Sequence, residues 1–382
     1  MRNAAKPPVK ILLAANSTWN LVNFRSPIIC ELCRRGFEVI AAAPVDESAA
    51  ALQAMGVRVE PIEIDSGGLS PVADALLVMR YYRMMKRVAP AALLAFTPKP
   101  NIYSSIAARW AGVPVINTIT GLGTGFLSGA VLQKLVVHLY RMALRNSTRV
   151  FFHNDEDRAL FLRLRLVRPD QAAVVAGSGI DLHAFAPGRG KSSDAGPTFL
   201  FIGRLLRDKG IVEFAEAARQ VRAQRPARFQ IVGAPERHPK AVAPELVESW
   251  VDEGIVEVLG RTDDVRPYIE QADCVVLPSY REGLPRAILE ASAMGKPVIA
   301  ADVPGCRQAV ESGVTGLLCE ARSSRALAEA MLSILDMPED RRLEMGRRGR
   351  DKAERGFSEK HVVASYLEVI EQLERESHCS PI

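Results

Sequence analysis

The stretch SYREGLPRAILEAS, residues 279–292, sets Glu282 in a glycine-proline turn and Glu290 eight positions later among alanines and leucines. An ionised carboxylate on an apolar helix face costs several kcal/mol unless something pairs with it or hydrogen-bonds to it. Glu290 therefore needs a partner. Upstream, TFLFIGRLLRDKG, residues 198–210, reads as a strand, a turn at Gly203, then Arg204 and Lys209 where a helix begins. Two cations beside the N–H groups of a helix start make a diphosphate site. Taken alone, they also fit two solvated charges on a loop. In the later stretch the N–H groups of Gly283 and Leu284 could hold phosphate or sugar oxygens, with Pro285 suited to the first helical turn. Glu290 could accept both hydroxyls of a ribose, and Glu282 would sit nearer a second sugar. The competing reading makes one glutamate a helix-dipole acid and the other half of a salt bridge.

Such residues need a frame, and the chain supplies one. VKILLAAN, FEVIAAAP, VRVEPIEI, ALLAFT, PVINTIT, RVFFHN and AAVVAGS alternate with helical patterns, which implies a parallel sheet wrapped by helices. After the loose polar segment 184–197 the pattern restarts with TFLFIGR, ARFQIVGA, VEVLGR, CVVLPS, PVIAAD and GLLCE. From about Ala321 the chain turns helical and charged, ending in SEKHVVASYLEVIEQLERE, an amphipathic pattern expected to return to the first domain. The expected domains are 1–188, 189–356 and a C-terminal helix over 357–382. Open α/β sheets bind ligands at the carboxyl ends of their strands, so two domains facing across a cleft would hold theirs in the groove.

A chain of 382 residues with 48% hydrophobic content suits two ordinary cores. Its charge is uneven: residues 1–190 hold 22 Lys and Arg against 13 Asp and Glu, whereas the remainder holds 27 against 31. The basic half should face something anionic. Six cysteines without paired CxxC spacing or a secretory leader describe a reduced intracellular protein. Cys30 and Cys33 form one CxxC inside a helical pattern, read as a buried helix face ahead of redox or metal chemistry. The apolar segment LLVMRYYRMMKRVAPAALLAF carries four basic residues, so no run reaches the roughly 18 residues of a membrane span. A soluble or peripheral protein is expected, with no nucleic-acid partner.

GRLLRDKG, the Glu282/Glu290 pair, PVIAADVPGCRQAV and SGVTGLLCE together resemble the nucleotide-sugar domain of family 4 glycosyltransferases, which have the GT-B fold. NLVNFRSPII, FTPKPNIYSSIAA, VINTITGLGTGF and GSGIDLHAF are similar to a bacterial branch that builds polysaccharide and glycan precursors on polyprenyl diphosphate carriers. The resemblance spans nearly the whole chain. It implies an α/β GT-B fold of two Rossmann-like doubly wound domains. It also implies that Arg204 and Lys209 bind the donor diphosphate, that Glu290 binds the ribose, and that Glu282 contacts the donor hexose near Gly283 and Leu284. It implies retention of anomeric configuration, no metal, a UDP-linked donor, and a cytoplasmic protein peripheral on the inner face of the membrane. Many relatives carry a histidine after the fifth strand, where this chain has Asn117, Thr118 and Thr120.

His153, in FFHNDED, is the nearby candidate to replace that histidine, against the commoner reading of a satisfied strand-end residue. Asp155, Glu156 and Asp157 match a metal-binding DxD pattern of another fold but open a helix, where acids favour the dipole. GLGTGF, residues 121–126, brings Gly121 and Gly123 to a turn that could approach the donor diphosphate. It does not fit GxGxxG, and no GK[ST] follows. Arg80, Arg83 and Arg87 share one helical face, either solvated or aimed at anionic lipid or the acceptor diphosphate. Lys99 and Arg25 follow strand ends and are acceptor candidates.

The leading expectation is a transferase moving a hexose, an N-acetylhexosamine from UDP, onto a lipid-diphosphate saccharide. A nucleotide-sugar epimerase or phosphorylase of the same architecture is the alternative. A non-catalytic nucleotide-sugar or membrane-surface binding protein comes third.

Overall fold

The computed structural model describes residues 8–65, 68, 70–122, 130–188, 196–236 and 238–379. Among them thirteen strands form two parallel sheets. The first contains Lys10–Ala14 (β1), Glu38–Ala43 (β2), Arg58–Pro61 (β3), Ala92–Phe96 (β4), Val115–Ile119 (β5), Arg149–Phe152 (β6) and Ala172–Val174 (β7), in the order β3-β2-β1-β4-β5-β6-β7. The second contains Thr198–Ile202 (β8), Arg228–Val232 (β9), Glu257–Gly260 (β10), Cys274–Leu277 (β11), Val298–Ala301 (β12) and Gly316–Cys319 (β13), in the order β10-β9-β8-β11-β12-β13. All thirteen fall on the segments read as strands. Both orders reverse once, as in doubly wound folds.

The central strands are apolar throughout because helices cover both faces of each sheet. In the first, Leu12, Ile40 and Leu93 pack with the helices Pro71–Val88 and Pro98–Ala111. Ile11, Leu13, Val39, Leu94 and Phe96 point the other way, onto Leu21, Ile28 and Leu32 of the helix Thr18–Arg34 and Val362, Tyr366 and Ile370 of the helix Glu359–Cys379. The period of two along each strand therefore feeds two separate cores. The C-terminal helix belongs to the first unit, as its amphipathic pattern indicates. In the second unit Phe199, Phe201, Phe229 and Ile231 pack with Phe214 and Val221 of the helix Ile211–Arg222 and Leu327 and Met331 of the helix Ser324–Asp336.

Contacts divide the chain into 1–178 with 360–382, and 179–359. The first boundary thus lies ten residues before the expected one after residue 188, ahead of the polar linker. Residues 180–185 are held by the second unit: the Ile180 N–H donates to the Phe357 carbonyl (2.8 Å). Arg350 donates to the carbonyls of Leu182 (3.1 Å), Phe185 (2.8 Å) and Ala293 (2.6 Å).

The CxxC segment also differs from expectation. The helix Thr18–Arg34 buries Leu21, Arg25, Ile28, Ile29 and Leu32, and this spacing leaves Cys30 exposed and Cys33 half-buried, both free thiols. Among the described residues no helix is long and apolar enough to cross a membrane.

Candidate active site

In the second unit the strand order reverses between β8 and β11, which pair with Phe199 opposite Cys274. The loops leaving these strands share one sheet edge, the place where open α/β sheets bind ligands. After β8 a 3-10 turn over Arg207–Lys209 ends at Gly210, with φ +73°. Any side chain there would be strained, and a Cβ would lie 2.1 Å from the Pro278 carbonyl oxygen. The Tyr280 N–H donates to the Asp208 carbonyl (2.9 Å), and Lys240 Nζ donates to Asp208 Oδ2 (3.0 Å). The two loops are therefore bonded to each other.

This contact brings two predicted residues together: Lys209 Nζ donates to Glu282 Oε1 at 2.5 Å, with 25% and 12% of their side chains exposed. Glu290 has its own partner, since Arg286 Nε donates to its Oε1 at 2.8 Å across one helical turn. Burial raises the Glu290 carboxyl above its ordinary range, and the Arg286 charge and hydrogen bond pull it back. Both opening carboxylates are thus salt-bridged.

Pro285 is the N-cap, with φ −76° and ψ 123°, so the helix is Arg286–Ala293 and Gly283 and Leu284 form the turn before it. Pro285, expected in the first helical turn, has an extended backbone that makes it the entry residue instead. A Cβ on Gly305 would lie 2.4 Å from the Gly283 carbonyl oxygen, so the helix Pro304–Ala309 is laid directly against this turn. Gly203 donates its N–H to the Val232 carbonyl (3.0 Å), which commits that amide to the fold. Arg204, next to it, is about half exposed and 3.7 Å from Glu236.

Sequence reasoning missed three supporting residues. Arg286 was legible as the i, i+4 partner of Glu290. Tyr280 and Arg322 were not: the Tyr280 hydroxyl donates to Glu213 Oε1 (2.7 Å) and the Arg322 guanidinium lies 4.6 Å from its ring. Burial and the Glu213 bond push the Tyr280 hydroxyl up to about 12. This brace fixes the chain two residues before Glu282.

The first unit has its own reversal, between β1 and β4, with Ile11 opposite Ala92. Arg25 sits there, only 3% exposed, its guanidinium 4.3 Å from the centre of the Phe96 ring. Its Nε has no hydrogen-bond partner, and no ion pair reaches it among the described residues. A cation–π contact contributes up to about 2 kcal/mol, whereas burying an unpaired charge costs several. His153 is 6% exposed and its Nε2 is unpartnered, so it is buried but not satisfied. Burial first, then the Arg25 charge, pulls its imidazole down to about 3. Asn16 Oδ1 and Asn20 Oδ1, at the β1 end of the same edge, are also buried without partners.

Most of the remaining candidates are engaged elsewhere. Lys99 pairs with Asp74 (2.8 Å), which also accepts from the Tyr103 hydroxyl (2.6 Å). Arg80 pairs with Glu63 (2.8 Å) and Arg87 with Glu60 (2.5 Å), while Arg83 is exposed. Asn117 is consumed by the fold, donating to Asn101 Oδ1 (2.9 Å) and Ser105 Oγ (2.8 Å) and accepting from Ser147 Oγ (2.6 Å). Thr118 bonds the Tyr366 hydroxyl at 2.6 Å. Asp155, Glu156 and Asp157 form the first turn of the helix Asp155–Arg163, where the Asn154 side chain caps the Asp157 N–H. Gly121 has φ +145°, and Gly123 lies outside the described residues.

Two doubly wound parallel units, with paired cations and carboxylates on the switch-point loops of the second, are the architecture of GT-B glycosyltransferases. The chain belongs to these enzymes: the Glycosyl transferase 4-like family model matches residues 10–154 and the Glycosyl transferases group 1 model matches residues 196–337. The family resemblance read from the sequence is borne out. Among curated relatives, the chain is 28% identical to an N,N'-diacetylbacillosaminyl-diphospho-undecaprenol alpha-1,3-N-acetylgalactosaminyltransferase of Campylobacter jejuni, over 93% of this chain and 96% of that one. It is 27% identical to a UDP-Gal:alpha-D-GlcNAc-diphosphoundecaprenol alpha-1,3-galactosyltransferase of Escherichia coli, over 76% and 77%. In fold it is similar to a glycosyltransferase from Rickettsia africae, with a TM-score of 0.76, 18% identity and coverage of 96% and 99%. Anabaena HepE, solved with UDP, has a TM-score of 0.76, 19% identity and coverage of 95% and 100%.

Proposed function

We propose that this glycosyltransferase moves an N-acetylhexosamine from a UDP-sugar, with retained anomeric configuration and without a metal, to a saccharide carried on a polyprenyl diphosphate. The observation that carries the reading is the near end-to-end likeness to a transferase whose acceptor is a diphospho-undecaprenol-linked sugar. The geometry of the second unit is compatible with such a donor. Breaking the sugar–phosphate bond builds negative charge on the departing diphosphate, and Arg204 and Lys209, two of the cations on that loop, stabilise it. Lys209 has three N–H donors, so it can keep Glu282 through one and offer others to phosphate. Glu282 thereby holds the ammonium in place and faces the transferred hexose, next to the Gly283–Leu284 turn. Arg286 occupies Oε1 of Glu290, and the second carboxylate oxygen serves the ribose hydroxyls.

In this reading the acceptor hydroxyl attacks from the face the leaving group vacates, and a donor phosphate oxygen takes its proton. Peripheral attachment to an anionic membrane is part of the same proposal. The exposed Val72, Leu76 and Met79 share the helix Pro71–Val88 with exposed Arg83, an apolar and cationic combination suited to a lipid surface.

The test is turnover of radiolabelled UDP-N-acetylhexosamines with and without a polyprenyl-diphosphate-linked saccharide in anionic vesicles. Product is expected only with the lipid acceptor, and Arg83→Glu should reduce vesicle binding. Equal donor consumption without lipid would replace the transferase reading with an epimerase or phosphorylase of this architecture.

A further inference from the structure

Four unpartnered buried polar atoms lie at the carboxyl edge of the first sheet, and together they describe a ligand. Arg25 Nε can only donate, and His153 Nε2 donates in one neutral tautomer. Asn16 Oδ1 and Asn20 Oδ1 accept. Phe96, the last residue of β4, holds the guanidinium at the strand reversal, while Asn16 and Asn20 follow the neighbouring β1. His153 follows β6 in the same sheet and is close enough to feel the Arg25 charge. The Thr118 and Tyr366 hydroxyls bond one another at 2.6 Å, which commits one O–H of that pair. An oxyanion matches the donors, and hydroxyl groups match the acceptors. A phosphorylated sugar carries both.

We propose that Arg25, His153, Asn16 and Asn20 form the site for the phosphorylated sugar of the acceptor. Arg25 and His153 take a phosphoryl oxygen, and the two asparagines take sugar hydroxyls. The proposal rests on the lipid-diphosphate acceptor named above, and it assigns the contacts that recognise that acceptor. It also accounts for a cation buried with no counter-ion among the described residues: the ligand supplies the counter-charge.

The test compares the full-length chain with Arg25→Met, Arg25→Lys and His153→Gln, measuring KM separately for donor and for a short polyprenyl-diphosphate-linked N-acetylhexosamine. The same saccharide as a plain alkyl glycoside serves as the acceptor lacking phosphate. Arg25→Met should raise the KM for the diphosphate acceptor at least tenfold, leave donor KM within twofold, and abolish the preference over the alkyl glycoside. Its Tm should not fall, because an apolar side chain of similar length replaces an unpaired charge. His153→Gln should shift the acceptor KM in the same direction and less. If Arg25→Met fails to fold, Arg25→Lys keeps the charge, and it should still raise acceptor KM severalfold through lost geometry.

A folded Arg25 variant with unchanged acceptor KM overturns the proposal, as does a change in donor KM instead. A second readout separates this from the reaction assignment: in a Lys209→Ala background, N-acetylglucosamine 1-phosphate should raise Tm only when Arg25 is present. Arg25-dependent stabilisation without transfer to any lipid acceptor keeps the site and removes the acceptor class. No Arg25-dependent stabilisation and no transfer removes both.

Discussion

The two sheets reverse strand order in the same way, yet they treat charge differently at the reversal. In the second unit every cation carried over from the sequence faces a carboxylate: Lys209 faces Glu282, Arg204 lies near Glu236, and the adjacent Arg286 holds Glu290. Atoms without partners there are Asp208 Oδ1 and Glu213 Oε2, each on a carboxylate whose other oxygen is bonded, together with Ser279 Oγ and the Nε of Arg281, a residue engaged through other atoms. In the first unit the unpartnered group is Arg25 itself, beside His153. Pairing keeps a charged site stable while no ligand is present, and a ligand then enters by exchanging partners. An unpaired buried cation destabilises the free protein and binds its anion with less competition. One fold thus builds an exchange site on one sheet and, by our inference, a capture site on the other.

The largest expected effect breaks the paired side. Lys209→Ala should lower kcat about 100- to 1,000-fold, the range seen when one stabilising donor to developing charge is removed. Donor KM should change less, because the charge it meets grows during the reaction. The substitution also strands Glu282 Oε1 in a setting where 12% of the side chain is exposed, so some stability is lost. The double variant Lys209→Ala/Glu282→Gln should recover that stability and none of the rate. Steady-state kinetics with thermal denaturation of the three proteins checks this. Full activity in the double variant would remove the pair from the chemistry.

A smaller effect is expected at Glu290. Its folded carboxyl titrates above the unfolded value of 4.5, because burial opposes the charge more than Arg286 supports it. Stability from this group is therefore complete below pH 4.5 and is lost as pH rises through the raised folded value. Glu290→Gln keeps an acceptor for Arg286 and removes the buried charge. At neutral pH its Tm should equal or exceed that of the parent, with the difference vanishing in acid. Donor KM should rise about tenfold from the loss of charge-assisted bonds to hydroxyls. A KM unchanged for the UDP-sugar would leave Glu290 a structural residue.

What could be read in advance follows from the range of each interaction. The strands were legible because a parallel sheet covered on both faces demands short apolar runs, and KILLA, ALLAF and CVVL are such runs. The turn GLPRAILE announced itself through glycine, proline and a glutamate that needed a partner. The partners were harder. Arg286 lies four residues from Glu290 and is a local fact, but Lys209 and Glu282 meet only because β8 and β11 are neighbours, 73 positions apart in sequence. For the same reason Lys99 looked available until the helix Pro71–Val88 brought Asp74 to it. Arg25 was named for its place after a strand, but its isolation is a long-range property. Nothing in NLVNFRSP says that no acid arrives.

The smallest effect at neutral pH, and the one that sharpens the contrast most, concerns His153. Its imidazole is held near 3 against an ordinary 6.5, first by burial and then by Arg25. Such a group contributes stability that is complete above pH 6.5 and is lost as pH falls from 6.5 towards 3, with a slope of up to about 1.4 kcal/mol per pH unit. His153→Gln should leave neutral stability near that of the parent and flatten this part of the acid limb, measured by urea midpoints across the window. Arg25→Met removes the second cause, so His153 should titrate higher and the limb should begin to flatten in that variant too. The two substitutions act on one titration and must not add. Additive effects would mean that the Arg25 charge does not reach the imidazole, and the first sheet would then hold two separate unsatisfied groups instead of one site.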